Sequence, residues 1–181
     1  VYKRQLLYLL GTPEFDLLGV TTTFGNGRID QVYPQTQKLI QRLGLEIPVL
    51  QGEDEQALGE STLASKFLVQ QVDRHPGEIT LLATGPVGNL YAAALEDPEF
   101  FAKVKRIVMM GGYLQRVRIG YRDLKELNFS ANPEATLQVL TAACPHTIFP
   151  AQVCLDAPYH LRDIHCADYW PSWMKGTLTQ W

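Results

Sequence analysis

The amino-acid sequence predicts a single α/β domain with an open, doubly wound and mainly parallel sheet and helices on both of its faces. Short apolar runs typical of buried strands alternate with amphipathic helical segments along the chain. No internal repeat or low-complexity linker interrupts this alternation. A chain of 181 residues with 46% hydrophobic content is also long enough to bury one substantial core.

The N-terminal half of the chain shows the alternation first. Strands are predicted where apolar and β-branched residues run together, and helices where apolar residues recur every three to four positions. Gly11 and the run His75-Pro76-Gly77 each end a helix, because glycine and proline do not continue one. The predicted elements are, in order, a helix over residues 6–10, a strand over 15–23, a helix over 32–43, a strand over 47–50, a polar loop over 51–60 and a helix over 61–75 capped by Ser61.

The C-terminal half continues in the same way. Thr84-Gly85-Pro86 marks a change from strand to helix, and Asn132-Pro133-Glu134 supplies a cap, a fixed φ and an acid in a first helical turn. The predicted elements are a strand over 79–83, a helix from 87, a short helix capped by Asp97, a strand over 104–110, a helix over 132–143 and a strand over 147–150. The buried side of the helix over 132–143 is predicted to hold Ala135, Leu137, Val139 and Leu140.

Composition excludes several classes of partner. A net charge of -3 and a pI near 5.8 leave no polybasic surface, so we expect neither nucleic acid nor an anionic membrane as a partner. Cys144, Cys154 and Cys166 are an odd number and fit neither a disulfide framework nor a CxxC site. No apolar run approaches the length of a membrane span. These features predict reduced thiols and a cytoplasmic location.

The most informative stretch is residues 107–134. Its first four residues are apolar and predict a buried parallel strand, and Gly111-Gly112 lets the backbone turn where that strand ends. Glu126 and Asn128 follow, two positions apart in an extended segment, so their side chains point the same way. Open α/β sheets bind ligands beyond the carboxyl ends of their strands. The sequence therefore predicts a ligand site at this edge of the sheet.

Four ordered motifs resemble those of the inosine-uridine-type nucleoside hydrolases. They are GVTTTFGN over residues 19–26, EITLLATGPVGNL over 78–90, the segment from DPEF to VKRIVMMGG over 97–112, and ELNFSANPEA over 126–135. The resemblance covers residues 6–158. It implies a Ca²⁺-dependent enzyme that hydrolyses the N-glycosidic bond of purine or pyrimidine ribonucleosides to base and ribose. A small-molecule ribonucleoside is then the expected partner, and a homo-oligomer is left open.

The resemblance also assigns site residues. Asn26 matches an asparagine of the ribose pocket, Met110 the methionine under the ribose, and Glu126 and Asn128 the pair that contacts a sugar hydroxyl. Thr84 matches the threonine whose backbone carbonyl is a calcium ligand. Each has a plainer interpretation that the residues alone leave open: two turn asparagines, a core methionine, a surface acid and a strand-to-helix turn.

Three departures from the family pattern affect the expected chemistry. The loop over 51–60 is short and lacks the family's histidine, so the base preference is open. Ile119-Gly120-Tyr121 stands where the family has a further sugar-binding asparagine. The family's Asp-rich cluster, expected just before Leu6, and its distal His-Asp pair are not in the sequence. We therefore expect the isolated chain to be inactive, with its catalytic residues unknown.

The ends of the chain carry separate expectations. Residues 1–5, VYKRQ, match the translated end of a sequencing-library adapter, so we take residues 6–181 as one domain that is incomplete at both ends. The C-terminal segment holds polar and aromatic residues to which we assign capping, packing or interface roles: His160, Asp163, His165, Asp168, Trp170, Trp173 and Trp181. The alternative to an enzyme is a non-catalytic sugar-binding or structural member on the same scaffold.

Overall fold

The computed structural model describes residues 3–10 and 12–156, without the side chains of residues 3–5, 7 and 119. Its helices are α1 (Lys3–Leu10), α2 (Ile29–Arg42), α3 (Leu63–Arg74), α4 (Gly88–Glu96), α5 (Phe100–Lys103), α6 (Pro133–Leu140) and α7 (Ala151–Asp156). Its strands are β1 (Val20–Thr22), β2 (Val49–Gln51), β3 (Thr80–Ala83), β4 (Arg106–Met110), β5 (Arg118–Ile119), β6 (Arg122–Asp123) and β7 (His146–Phe149). The predicted alternation of strands and helices is confirmed.

The main strands pair in parallel, as predicted. β3, β4 and β7 form one sheet in that order, with Ile107 beside Leu81 on one side and beside His146 on the other. β1 and β2 form a second parallel pair, which is not hydrogen-bonded to the first sheet in the described part of the chain. β5 and β6 form a small antiparallel hairpin that turns at Gly120, whose φ is +60°.

The first strand is much shorter than the predicted span of residues 15–23. β1 covers only Val20–Thr22 because its partner β2 begins at Val49. The Val20 N–H donates to the Pro48 carbonyl at 2.9 Å, but proline has no N–H to extend the ladder further. The length of a strand thus depends on its partner as well as on its own sequence.

The core lies between one face of the β3-β4-β7 sheet and helices α3 to α6. Successive side chains of a strand point to opposite faces of its sheet. Leu81, Ile107 and Met109 point toward these helices and are buried. Thr80 and Leu82 point to the other face, where Leu82 is 44% exposed. This arrangement places the carboxyl ends of β3 and β4 side by side at the edge where the ligand site was predicted.

Helix caps follow the sequence closely, with one shift. Asn132 caps α6 as predicted, its Oδ1 accepting from the Ala135 N–H at 3.0 Å. Thr62, not Ser61, caps α3, because Ser65 at the third helical position completes a reciprocal capping box with Thr62.

The predicted buried side of α6 is partly wrong. Ala135 and Val139 are fully buried, but Leu137 is 62% exposed. Leu137 lies two positions from each of these residues, and two helical steps of about 100° turn a side chain to the opposite side of the helix.

Some predictions fall outside the described residues: those for Gly11, Cys166, and the histidines, aspartates and tryptophans beyond Asp156. Cys144 and Cys154 are free thiols, and burial raises the pKa of the Cys144 thiol. No helix in the described part of the chain is long and apolar enough to cross a membrane.

Candidate functional site

Asn128 joins the carboxyl ends of β3 and β4. Its Nδ2 donates to the Met110 carbonyl at 2.8 Å and lies 3.4 Å from the Thr84 carbonyl. The same nitrogen lies 3.2 Å from the Met110 sulfur, and Asn128 is only 5% exposed. Three of the five residues that the sequence singled out are therefore in direct contact at the predicted edge of the sheet.

Glu126 holds the loop that carries Asn128. Its two carboxylate oxygens accept from the backbone N–H groups of Gly112 at 3.1 Å, Phe129 at 3.0 and 3.1 Å, and Ser130 at 2.6 Å. Burial alone would raise the pKa of Glu126, but these hydrogen bonds, together with one from the Ser130 side chain, outweigh it and hold the pKa below its ordinary value. The carboxylate is therefore ionised at neutral pH.

Glycine is required where β4 meets this loop. The ring of Phe129 packs so closely on Gly111 that an added Cβ there would overlap with it. The next residue, Gly112, has a φ of +71°, which favours glycine. The two glycines let Phe129 cover the end of β4, so Glu126 and Asn128 reach Gly112 and Met110 from the same loop.

Asn26 lines an open cleft of about 570 Å³. One wall of the cleft is the segment after β1, residues 24–28, together with Gln31. Leu127, Ser130 and Ala131 form a second wall, and Glu55 also lines the cleft. Leu127 lies between Glu126 and Asn128 in the chain and lines the cleft. The same short loop therefore contributes side chains to the strand ends and to the cleft.

Glu53 lies in the loop predicted over residues 51–60, and no sequence motif identifies it as a site residue. Glu53 is fully buried, and its Oε1 accepts from Asn132 Nδ2 at 2.9 Å and from the Gly59 N–H at 3.1 Å. Its Oε2 has no hydrogen-bond partner among the described residues. Burial raises the pKa of Glu53 more than these two hydrogen bonds lower it. No local pattern distinguishes Glu53 from its neighbours Asp54 and Glu55.

The described residues do not fit a calcium ion by themselves. No group of three or more His, Cys, Asp or Glu side chains among them is placed to hold a metal. The Thr84 carbonyl is one oxygen, and the Glu126 oxygens already accept from backbone N–H groups. Calcium prefers six to eight oxygen ligands. The cluster at the strand ends is thus a polar anchor with no complete metal site.

Comparison with known families gives one match over most of the chain. The model of the inosine-uridine preferring nucleoside hydrolases matches residues 4–179, a wider span than the residues 6–158 predicted from the motifs. Uridine nucleosidase 1 of Arabidopsis thaliana is 30% identical over 174 residues, covering 81% of this chain and 52% of the relative. The pyrimidine-specific ribonucleoside hydrolase RihB of Escherichia coli K12 is 27% identical over 159 residues, covering 74% of this chain and 50% of RihB. The chain thus spans about half the length of these relatives.

Solved structures agree on the fold. A plant nucleoside hydrolase superposes with a TM-score of 0.76 at 26% identity, covering 88% of this chain and 59% of the plant protein. The purine-preferring ribonucleoside hydrolase of Gardnerella vaginalis has the same TM-score at 24% identity, over 88% of this chain and 60% of that protein. The predicted α/β fold class is confirmed.

Proposed function

Because this chain belongs to the inosine-uridine preferring nucleoside hydrolase family, we propose that the complete protein hydrolyses ribonucleosides to free base and ribose. In this proposal the chain supplies the sugar-binding side of the site, through Asn26, Met110, Glu126 and Asn128. The contact of Asn128 with the Met110 and Thr84 carbonyls is the observation that carries the proposal. It supports the proposal because it brings Asn128, Met110 and Thr84 together at the carboxyl ends of the strands, where α/β sheets bind ligands.

The chemistry that these residues could support is binding and charge stabilisation. Hydrolysis of an N-glycosidic bond passes through a sugar with oxocarbenium character, so positive charge develops on the ribose. Glu126 is held ionised by three backbone N–H groups and would stabilise that charge from a fixed position. Asn128, which is fixed between two strand ends, would orient the sugar.

Calcium dependence belongs to the same proposal for the complete protein. The Thr84 carbonyl would be one ligand, and carboxylates from outside the described residues would have to supply the others. We assign no catalytic step to this ion in the isolated chain. We expect the 181-residue chain by itself to hydrolyse nothing.

The second candidate, a non-catalytic sugar-binding or structural member, has its own support. Both oxygens of Glu126 and the Nδ2 of Asn128 are already engaged in hydrogen bonds within the chain. Residues with only this anchoring role would hold the loop without touching a substrate.

Ribose release decides between the two candidates. The complete protein would be assayed with inosine and with uridine, with and without a calcium chelator, beside its Asn26→Ala and Asn128→Ala variants. We expect release that the chelator abolishes, and a loss on the order of 10- to 100-fold in each variant. A folded complete protein that releases no ribose from either nucleoside would refute the catalytic proposal. Chelator-sensitive release by the isolated chain would refute the expectation that it is inactive.

A further inference from the structure

Glu53 stands where four separate segments of the chain meet. Its carboxylate accepts from Asn132 before α6 and from Gly59 in its own loop. Its backbone N–H donates to Asn89 Oδ1 in α4 at 2.8 Å, and its carbonyl accepts from the Phe24 N–H after β1 at 3.1 Å. One residue therefore connects the segment after β1, the loop after β2, and the first turns of two helices.

Two of these contacts reach the two walls of the cleft, one each. Phe24 is the first residue of the wall that carries Asn26, and the Glu53 carbonyl holds its backbone. Asn132 directly follows Ala131, the last residue of the other wall, and the Glu53 carboxylate holds its side chain. Glu53 thus links the two walls, one through its backbone carbonyl and the other through its carboxylate.

The surroundings of Glu53 enclose it tightly. An added Cβ on Gly88 would overlap with the Glu53 carboxylate, and one on Gly52 would overlap with Asn89 and with the Thr22 carbonyl. Asn89 is itself fixed, because its Nδ2 donates to the Thr22 carbonyl at 2.9 Å. A residue this tightly enclosed can transmit its position to both walls, through its backbone carbonyl to Phe24 and through its carboxylate to Asn132.

We propose that Glu53 is a positioning residue that sets the spacing of the two cleft walls and so aligns Asn26 with the loop carrying Glu126 and Asn128. The proposal rests on the proposed function, because it identifies this cleft as part of the nucleoside site. Glu53 acts through Phe24 and Asn132 and touches no substrate itself.

Amide hydrogen exchange in the 181-residue chain tests the connection without any activity. Glu53→Leu removes the acceptor of Asn132, whereas Glu53→Gln keeps an oxygen and the size of the side chain. We expect Glu53→Leu to speed exchange at Phe24, Gly59 and Ser130 by on the order of tenfold relative to exchange at Ile107, with little change in Glu53→Gln. Glu60→Leu, on an exposed acid of the same loop, is the matched control and should change none of these sites.

A second variant covers the case in which Glu53→Leu does not fold. Asn132→Asp keeps the capping oxygen of α6 but replaces the Nδ2 donor with an oxygen that faces Glu53. We expect the same pattern of faster exchange at Gly59 and Ser130. Uniform acceleration that includes Ile107, or unchanged exchange at Ser130 in both variants, would show that Glu53 does not position the walls.

Kinetics of the complete protein separate this proposal from the proposed function. If the wild-type protein releases ribose, Glu53→Leu should lower kcat/KM by on the order of 10- to 100-fold at full folding, while Glu53→Gln should stay close to wild type. Equal kcat/KM in the wild type and Glu53→Leu would refute the positioning role. If the wild-type protein is inactive, the proposed function fails, and the exchange data still decide whether Glu53 spaces the walls.

Discussion

Glu53 and Glu126 are both carboxylates that hold loops, yet their pKa values shift in opposite directions. Glu53 is enclosed, accepts two hydrogen bonds, and has one oxygen without a partner among the described residues. Glu126 is partly exposed, and backbone N–H groups donate to both of its oxygens. Burial therefore dominates at Glu53, and hydrogen bonding dominates at Glu126. The number of hydrogen-bond donors relative to the depth of burial decides whether the pKa of the carboxyl group is raised or lowered.

The largest expected effect comes from filling the space against Glu53. Gly88→Ala would force its Cβ into the Glu53 carboxylate. We expect a loss of about 3 kcal/mol in the free energy of unfolding, measured by urea denaturation. Gly85→Ala is the control, because its Cβ would meet only the Thr23 methyl group at an ordinary 3.5 Å.

A double-mutant cycle tests whether the clash with Glu53 is the cause. In a Glu53→Ala background, Gly88→Ala should cost little or even stabilise, since alanine favours a helix over glycine by about 1 kcal/mol. An equal loss in both backgrounds would show that the enclosure of Glu53 is not what excludes a side chain at Gly88.

The next effect comes from removing the acceptor at Glu126. Glu126→Ala would leave the N–H groups of Gly112, Phe129 and Ser130 without their carboxylate, and we expect a loss of about 2 kcal/mol. Glu126→Gln keeps one oxygen acceptor and should lose about half as much. Urea denaturation measures both variants. Equal losses would mean that the second oxygen and its charge contribute nothing to holding the loop.

The sequence predicts the Glu126 region far better than the Glu53 region, and the reason is locality. The cap at Asn132 and the positive φ of Gly112 are local features, which a sequence pattern records. Glu126 also bonds mainly to residues three or four positions away. The burial of Glu53 depends on Asn89 and Asn132, which lie 36 and 79 positions away. No pattern within its own loop contains that information.

The same distinction explains two of the errors in the fold. β1 is shorter than predicted because its distant partner β2 limits it at Pro48. Leu137 is exposed because the direction in which α6 packs is set by its contact with α4, not by the composition of the helix. Elements with a strong local signal were located correctly, whereas boundaries and faces that depend on distant partners were not.

Asn128→Ala should lower the free energy of unfolding less than Glu126→Ala does, because Asn128 holds the same loop by neutral hydrogen bonds. Asn128→Ala would remove the donor to the Met110 carbonyl, a neutral hydrogen bond, and we expect a loss of about 1 kcal/mol. This is less than the loss in Glu126→Ala because only one main contact disappears. Thermal and urea denaturation of the two variants side by side would check the order. A larger loss for Asn128→Ala would mean that the strand ends, and not the Glu126 carboxylate, hold the loop.

The smallest expected effect is the dependence of stability on pH. It is also the most direct test of the opposite pKa shifts of Glu53 and Glu126. The pKa of Glu126 is lowered in the folded chain, so its stabilisation is present above its ordinary value of 4.5 and is lost as the pH falls through the folded value. The pKa of Glu53 is raised, so its stabilisation is complete below 4.5 and is lost as the pH rises through the folded value. The two residues should therefore contribute in opposite directions.

Difference curves against non-titrating variants isolate each contribution. The free energy of unfolding would be measured across about pH 3 to 8 for the wild type, Glu126→Gln and Glu53→Gln. The advantage of the wild type over Glu126→Gln should shrink as the pH falls below 4.5, because protonation removes the charge that the three N–H groups favour. The wild type should gain on Glu53→Gln as the pH falls from neutrality toward 4.5, because protonation removes a charge that the core disfavours. Curves that slope the same way would mean that Glu53 is held as an anion by the first turns of α4 and α6, whose dipoles favour negative charge there.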